Sequence, residues 1–255
     1  MPKLNIFTGN IGSGKSVIAS KLAKKGCAVV NMDTLQTMFS GGEYGNYDSE
    51  KREVYHSTEN AAIESALEAG ISVVIDRTNM DRKCRQRFIE IGQKHAAEII
   101  SYNWGSGVDD KHNLLERRLK NSRGIPRETW ANVFKYMAKS YEVPSMDEGF
   151  DQLIEAPKTY KFYAFDFDGT IAEDKPPIIG EIINSTVDRM NALWENLSNI
   201  IIIWTCRTGD LESQARSFLL KKKIPFDFIN ENPIFETGSA KIFAHEYCDN
   251  RNTLV

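Results

Sequence analysis

The sequence predicts an α/β fold in two domains, each built on a parallel sheet. Three observations carry this expectation. Short apolar runs alternate with amphipathic stretches of helical length along the 255 residues, the pattern of strands joined by crossover helices. Acidic residues stand directly after several of the runs, where a parallel sheet opens its ligand crevice. The alternation pauses near Ala156-Pro157-Lys158 and begins again, which divides the chain into domains at 1–156 and 161–255.

In the first domain, Leu4 to Thr8 reads as a strand, followed by a Gly-rich turn and a helix from Lys15 to about Lys25. Ala28 to Asn31 is a second strand, with Asp33 just beyond it and a polar, Gly- and Tyr-rich stretch at 41–47. A helix spans about Glu50 to Ala69, and Gly70 ends it as a C-cap. Ile71 to Ile75 is a third strand with Asp76 at its end, Asp81 opens an Arg-rich helix, and Glu98 to Tyr102 is a fourth strand. Helices are expected over Lys111–Lys120 and near 128–140, separated by the breaker Gly124-Ile125-Pro126. Phe150 to Glu155 closes the domain as a strand.

The second domain opens with a strand at Phe162–Phe165, then a helix at about 181–197 and the apolar strand Ile200–Trp204. A helix near 210–222 and strands near 226–229 and 245–248 complete it. No internal repeat or low-complexity tract is present.

A hydrophobic fraction of 41% and a charged fraction of 26% are those of a soluble globular protein. No apolar run is long enough to span a bilayer, and the N-terminus lacks a signal-peptide pattern, so a cytoplasmic location is expected. Cys27, Cys84, Cys206 and Cys248 are scattered without a CxxC pair, which reads as free thiols. The net charge of -3 is uneven. Residues 1–147 hold 21 Lys and Arg against 18 Asp and Glu, and the remainder 11 against 17. Neither half is basic enough to advertise nucleic-acid binding by charge alone.

Two clusters carry phosphate chemistry. The first is Gly9-Asn10-Ile11-Gly12-Ser13-Gly14-Lys15-Ser16, a complete G-x-x-x-x-G-K-[ST] pattern between a strand and a helix. Its glycines (Gly9, Gly12 and Gly14, beside Ser13) let consecutive N–H groups turn toward phosphate oxygens at a helix N-terminus. Lys15 is placed to neutralise the β- and γ-phosphates of ATP and Ser16 to ligate Mg²⁺. Asp33 and Asp76 suit a general base toward an acceptor hydroxyl or an anchor for Mg²⁺; for Asp33 the plain alternative is a helix N-cap. Of two basic clusters, Arg82-Lys83-Arg85-Arg87 reads as a solvated helix face. The other, Arg117-Arg118-Lys120-Arg123 before the Gly-Ile-Pro break, reads as a lid whose arginine stabilises charge on the transferring phosphoryl group.

The second cluster is Asp166-Phe167-Asp168-Gly169-Thr170 after an apolar strand. A carboxylate there can attack phosphorus, while another two residues on protonates the leaving oxygen. A divalent cation must then shield the nucleophile from an anionic substrate. Thr205, at the end of the Ile200–Trp204 strand, can hold the phosphoryl group or cap a helix. Arg207 can contact the substrate phosphate, and Lys241 with Asp249 can supply a counter-charge and a metal ligand.

The runs Asn31-Met32-Asp33 and Val74-Ile75-Asp76-Arg77-Thr78-Asn79, the lid arginines and Glu148-Gly149-Phe150-Asp151 resemble the kinase domain of phage-type polynucleotide 5′-kinases. That resemblance implies a P-loop kinase sheet with Asp33 as the general base. It implies Asp76, with Arg77 beside it, at the acceptor nucleotide, and Arg123 or Arg117 on the phosphates. Gln36 departs from it, because the family has an arginine three residues after the base. Residues 161–255 resemble haloacid-dehalogenase (HAD) phosphohydrolases, in particular the phosphatase half of bifunctional polynucleotide kinase/3′-phosphatases. This implies a small, capless, Rossmannoid, HAD-like domain with Asp166 as nucleophile, Asp168 as acid/base, Thr205 and Lys241 on the phosphoryl group, and Mg²⁺ at Asp166, Asp168 and Asp249. Asn250 departs from that family's acidic pair at the last motif; it joins the Mg²⁺ set by accepting a bond from a metal-bound water but brings no charge.

Together the two clusters point to an end-healing enzyme that uses ATP and Mg²⁺ on DNA or RNA ends, with no membrane partner and a homo-oligomer left open. Two alternatives stand beside it: a small-molecule kinase fused to a small-molecule phosphatase, and a nucleotide-gated regulatory protein with a decayed phosphatase.

Overall fold

The first apolar run folds as β1 (Lys3–Thr8) and becomes the central strand of a five-stranded parallel sheet, because Leu4, Ile6 and Phe7 are covered on both faces. In the computed structural model, which describes residues 1–42, 48–120, 122–231 and 242–251, the chain divides into two units, Met1–Lys158 and Thr159–Val255.

In the first unit, β2 (Ala28–Val30), β3 (Val73–Ile75), β4 (Glu98–Asn103) and β5 (Gln152–Glu155) join β1 in the order β2-β3-β1-β4-β5. Every pairing is parallel, so the strands' C-terminal ends lie on one edge and the connecting helices cover the faces. The helices are α1 (Lys15–Lys24), α2 (Met32–Phe39), α3 (Arg52–Glu68), α4 (Arg82–Lys94), α5 (Lys111–Lys120) and α6 (Arg127–Lys139). One core gathers Leu4, Ile6, Val73 and Ile75 from the sheet with Ile63 and Leu67 of α3 and Phe88 and Ile89 of α4.

In the second unit, β6 (Lys161–Asp166), β7 (Asn199–Trp204), β8 (Phe228–Ile229) and β9 (Glu246–Cys248) form a parallel sheet in the order β8-β7-β6-β9. Helices α7 (Asn184–Trp194) and α8 (Asp210–Lys221) make the crossovers. Phe165, Ile201 and Ile203 pack with Met190, Trp194, Ala215 and Leu219.

Most of the expected elements stand within a few residues of their places. Asp81 caps α4 as expected, its carboxylate accepting from Cys84 N at 2.6 Å, a contact worth about 1 kcal/mol. The helix expected at 181–197 is shorter at both ends, and the strand expected from Phe150 starts at Gln152. At that second point the Asp151 side chain accepts from Ile99 N at 2.7 Å. Within the Gly- and Tyr-rich stretch, residues 43–47 lie outside those described.

The Arg82–Arg87 cluster corrects an expectation. Arg82 and Lys83 are exposed as a solvated face requires, but Arg85 is fully buried, and its guanidinium meets both oxygens of buried Glu148 at 2.8 and 2.7 Å. A third nitrogen donates to the carbonyls of Asn79, Met80 and Glu142. Arg87 turns to the buried carboxylate of Glu59 and to His56. Periodicity alone assigns a charge to solvent; here an acidic partner 63 residues away reverses that assignment. Among the described residues no helix is long and apolar enough to cross a membrane, and all four cysteines are free thiols.

Candidate functional site

The Gly-rich loop lies between β1 and α1, at the C-terminal edge of the first sheet. Its glycines are required by space as well as by torsion. A Cβ on Gly9 would approach Trp104 to 2.7 Å, and one on Gly12 would fall 2.1 Å from the Leu114 carbonyl oxygen. Gly12 and Gly14 both have positive φ, at 72° and 94°, a region that strains other residues. Gly14 precedes α1 directly, and no side chain caps that helix, the arrangement in which a helix N-terminus receives an anion.

Lys15 folds back over the loop, donating to the carbonyls of Gly9 and Asn10 at 2.9 and 2.7 Å and to Ser13 Oγ at 3.2 Å. Burial pulls its ammonium down to about 8, opposed by Asp76 and reinforced by the charge of Arg118. Ser16 Oγ donates to Asp76 Oδ2 at 3.0 Å, and Asn31 Nδ2 donates to the same oxygen at 3.1 Å. A hydroxyl and a buried carboxylate held this close form a pair of hard oxygen donors, suited to a divalent cation that keeps most of its waters. Asp76 therefore sits on the phosphate side of the cleft, beside Lys15 and Ser16.

Asn31 is the residue that caps α2, its Oδ1 accepting from Asp33 N and Thr34 N. The N-cap alternative for Asp33 is thereby displaced: its carboxylate projects from the first turn and accepts from Arg123 Nη1 at 2.7 Å. Arg123 comes from the α5–α6 connection, as the lid reading expects. Arg117, the other arginine named for the lid, is not among the residues lining the cleft, whereas Arg118 is. Position on α5 decides between the two neighbours: Arg118 lies over the Trp130 ring at 3.8 Å, and Trp130 Nε1 donates to Ser122 O.

The cleft so formed, about 380 Å³, brings together Lys15, Ser16, Asp33, Asp76, Arg77 and Arg123. Gln36 lines it as well. Arg77 is held from behind by Glu59, at 2.8 and 3.1 Å. Sequence reading passed over Asn10, which has no place in the loop signature. It is fully buried, and its amide donates to the carbonyls of Ser106 and Phe134, fastening the loop to the segments before α5 and along α6.

The second unit places Asp166 at the end of β6, with Asp168 two residues on. Burial pushes the Asp166 carboxyl up to about 6; Asp249 and Asp168 push the same way, against the Phe167 amide and Arg251. Asp168 is gripped by Arg207 through both oxygens, at 2.8 and 2.7 Å. Arg207 is buried, and it also donates to the carbonyls of Pro177 and Ile178. Thr205 follows β7 and accepts from Arg207 N at 3.2 Å, a local turn rather than a cap on α8. Asn250 N donates to Thr170 Oγ1 at 3.0 Å, and a Cβ on Gly169 would collide with the Asn250 amide. Asn250 is thus packed against the Asp166–Thr170 turn.

A pocket of about 240 Å³ is lined by Asp166, Asp168, Asp174, Arg207 and Arg251, with Pro176, Pro177 and Leu211. Among the described residues no three His, Cys, Asp or Glu side chains stand close enough to enclose a metal by themselves. Lys241 lies outside the described residues.

Residues 4–144 match the family described as AAA domain. A curated relative, the bifunctional polynucleotide phosphatase/kinase of Schizosaccharomyces pombe (strain 972 / ATCC 24843), is 29% identical over 154 residues, 60% of this chain and 33% of the relative. The chain thus spans about a third of that relative's length. Among solved structures, one chain of the Pnkp1/Rnl/Hen1 RNA repair complex covers 89% of this chain and 78% of its own length, at 20% identity and a TM-score of 0.44. The APS kinase CysC of Mycobacterium tuberculosis, in complex with AMPPNP and APS, covers 60% and 88% at 17% identity and a TM-score of 0.43. The two structural likenesses, with TM-scores of 0.44 and 0.43, carry no inference about chemistry. The family match does, since it spans more than half the chain and contains the loop, Asp33, Asp76 and Arg123. Through residues 4–144 the chain belongs to the AAA domain family, as a P-loop enzyme of kinase type that binds ATP.

Proposed function

We propose that the protein is a nucleic-acid end-healing enzyme, which transfers the ATP γ-phosphate to a 5′-hydroxyl and removes a 3′-phosphate through an aspartyl-phosphate. The observation that carries this reading is the coexistence on one chain of a phosphate-binding loop facing a lone acceptor-side carboxylate and a second crevice with Asp166 at its head. The similarity to the fission yeast polynucleotide phosphatase/kinase over 154 residues supports a polynucleotide as the common substrate.

In the first site the loop amides and Lys15 hold the β- and γ-phosphates. Ser16 and Asp76 would hold Mg²⁺, which when bound would neutralise charge on those phosphates. Asp33 takes the proton of the 5′-hydroxyl as its oxygen attacks the γ-phosphorus and ADP leaves. Arg123 orients that carboxylate through its 2.7 Å contact, and from the same cleft wall it is placed to meet charge developing on the phosphoryl oxygens.

In the second site Asp166 attacks the 3′-phosphate. Asp168 delivers a proton to the leaving 3′-oxygen, and its carboxylate then takes one from the water that hydrolyses the aspartyl-phosphate. Arg207 orients Asp168 and Thr205 contributes its hydroxyl. A carboxyl raised to about 6 among other carboxylates is a donor set that a divalent cation relieves, and Asp166 and Asp249 fit such an ion; when bound, Mg²⁺ lowers the repulsion between nucleophile and phosphate. The Asp168 carboxylate is committed to Arg207 through both oxygens, which leaves it less free to ligate a cation directly.

Labelled ATP with a 5′-hydroxyl oligonucleotide tests the first activity, and a 3′-phosphorylated oligonucleotide with Mg²⁺ tests the second. Lys15→Ala is expected to abolish only the kinase and Asp166→Asn only the phosphatase. Loss of both activities from either change in a folded protein would refute two independent sites. Transfer to nucleosides or sugars with none to oligonucleotides would refute the polynucleotide substrate.

A further inference from the structure

The pocket at Asp166 continues past its charged groups. Pro177 and Leu211, which line it, also line a wider groove with Ile178 and Ile179, edged on α8 by Ser213, Gln214 and Ser217. Ile178 is 73% exposed. Its backbone is nonetheless fixed: Arg207 donates to the Pro177 and Ile178 carbonyls, each at 3.0 Å. The same guanidinium grips Asp168 at 2.8 and 2.7 Å. One side chain thus sets the position of an apolar wall relative to an acid/base carboxylate.

The charge of the groove restricts what it accepts. Asp210 lines it, and no Lys or Arg is among its described lining residues, so a phosphodiester backbone is disfavoured there. The wall suits a flat, neutral group with apolar faces, and the edge suits one with polar atoms on its rim. Resting on the phosphatase reading above, we propose that this groove seats the base of the 3′-terminal nucleotide while its 3′-phosphate occupies the Asp166 pocket. The base lies against Ile178 and Leu211, and its edge meets Ser213, Gln214 and Ser217. Every base has such faces, and hydroxyls and a carboxamide both donate and accept. The groove therefore requires a base without selecting which one.

The test uses the full chain and two 3′-phosphorylated oligonucleotides, one with a normal terminal nucleotide and one whose terminal residue is a base-free tetrahydrofuran analogue. In the unaltered protein KM is expected to be about tenfold higher for the base-free probe with similar kcat, within the range of one stacked base. Ile178→Ser is expected to bring the ratio of the two KM values close to one, and Ser217→Trp, which fills the groove from an exposed position on α8, to do the same. Equal KM values for the two probes in the unaltered protein, or a ratio that neither variant changes, would overturn the groove while leaving the phosphatase reading intact. Hydrolysis of neither probe would overturn both.

Discussion

Arg123 reaches back over 90 residues to place its guanidinium 2.7 Å from the Asp33 carboxylate. Asp33 lies in the first turn of α2, and Arg123 sits in the α5–α6 connection with a φ of 55°, so the contact joins two elements that line one cleft. If Asp33 is the base, Asp33→Asn is expected to lower phosphoryl transfer by about 10²- to 10⁴-fold. ATP binding should be preserved, because Lys15 and Ser16 are untouched. Single-turnover transfer measured beside a nucleotide titration checks this, and a parallel loss of ATP affinity would argue against the assignment.

Asp76 holds Ser16 at 3.0 Å and raises the proton affinity of Lys15. Asp76→Ala is therefore expected to raise the Mg²⁺ concentration for half-maximal kinase activity by about 10- to 100-fold. A Mg²⁺ titration at saturating ATP reads this, and an unchanged midpoint would exclude the metal role.

Lys15 is held down to about 8 by burial, and only its protonated form pairs with phosphate. As pH rises through about 8 the uncomplexed lysine loses its proton, so ATP binding must take one up. Affinity is expected to fall by up to about tenfold per pH unit above that point. Calorimetric titration in buffers of different ionisation enthalpy measures the proton uptake. Equal affinity at pH 7 and 9.5 would contradict it.

The nucleophile proposed for the second site, Asp166, must attack as a carboxylate, yet burial and its acidic neighbours raise its pKa to about 6. At low Mg²⁺ the 3′-phosphatase kcat/KM is expected to fall as pH drops through about 6, where the nucleophile protonates. Added Mg²⁺ favours the ionised form and should move this limb to lower pH. A limb insensitive to Mg²⁺ would separate the metal from Asp166.

The buried Arg85–Glu148 pair fixes the segments at 79–80 and 142–148. Glu148→Ala leaves a guanidinium buried without its carboxylate and is expected to cost about 3–5 kcal/mol. Replacing both partners, as Arg85→Met with Glu148→Leu, should cost much less. Urea unfolding followed by Trp fluorescence of the two variants compares them.

The strands were legible because their apolar runs are short, dense and followed by Asp, Gly or Pro. The two phosphate motifs were legible because each depends on contiguous residues: a loop that must turn between strand and helix, and carboxylates two positions apart. The family resemblance added positions that spacing alone leaves open, such as Asp33 and Arg123. Contiguity was no help with Asn10 and Glu59, whose roles come from partners far along the chain.

Local sequence, then, determined most of the elements and the Gly-rich turn between β1 and α1, since backbone turns and strand periodicity are set by near neighbours. Only the tertiary structure decided that Arg85 is buried, that Asn31 and not Asp33 caps α2, that Arg118 faces the cleft while Arg117 does not, and that Arg207 ties Asp168 to an apolar wall. In each case the free energy of a charged or polar group depends on its burial and on which partner folding brings within about 3 Å, and chain order encodes neither directly.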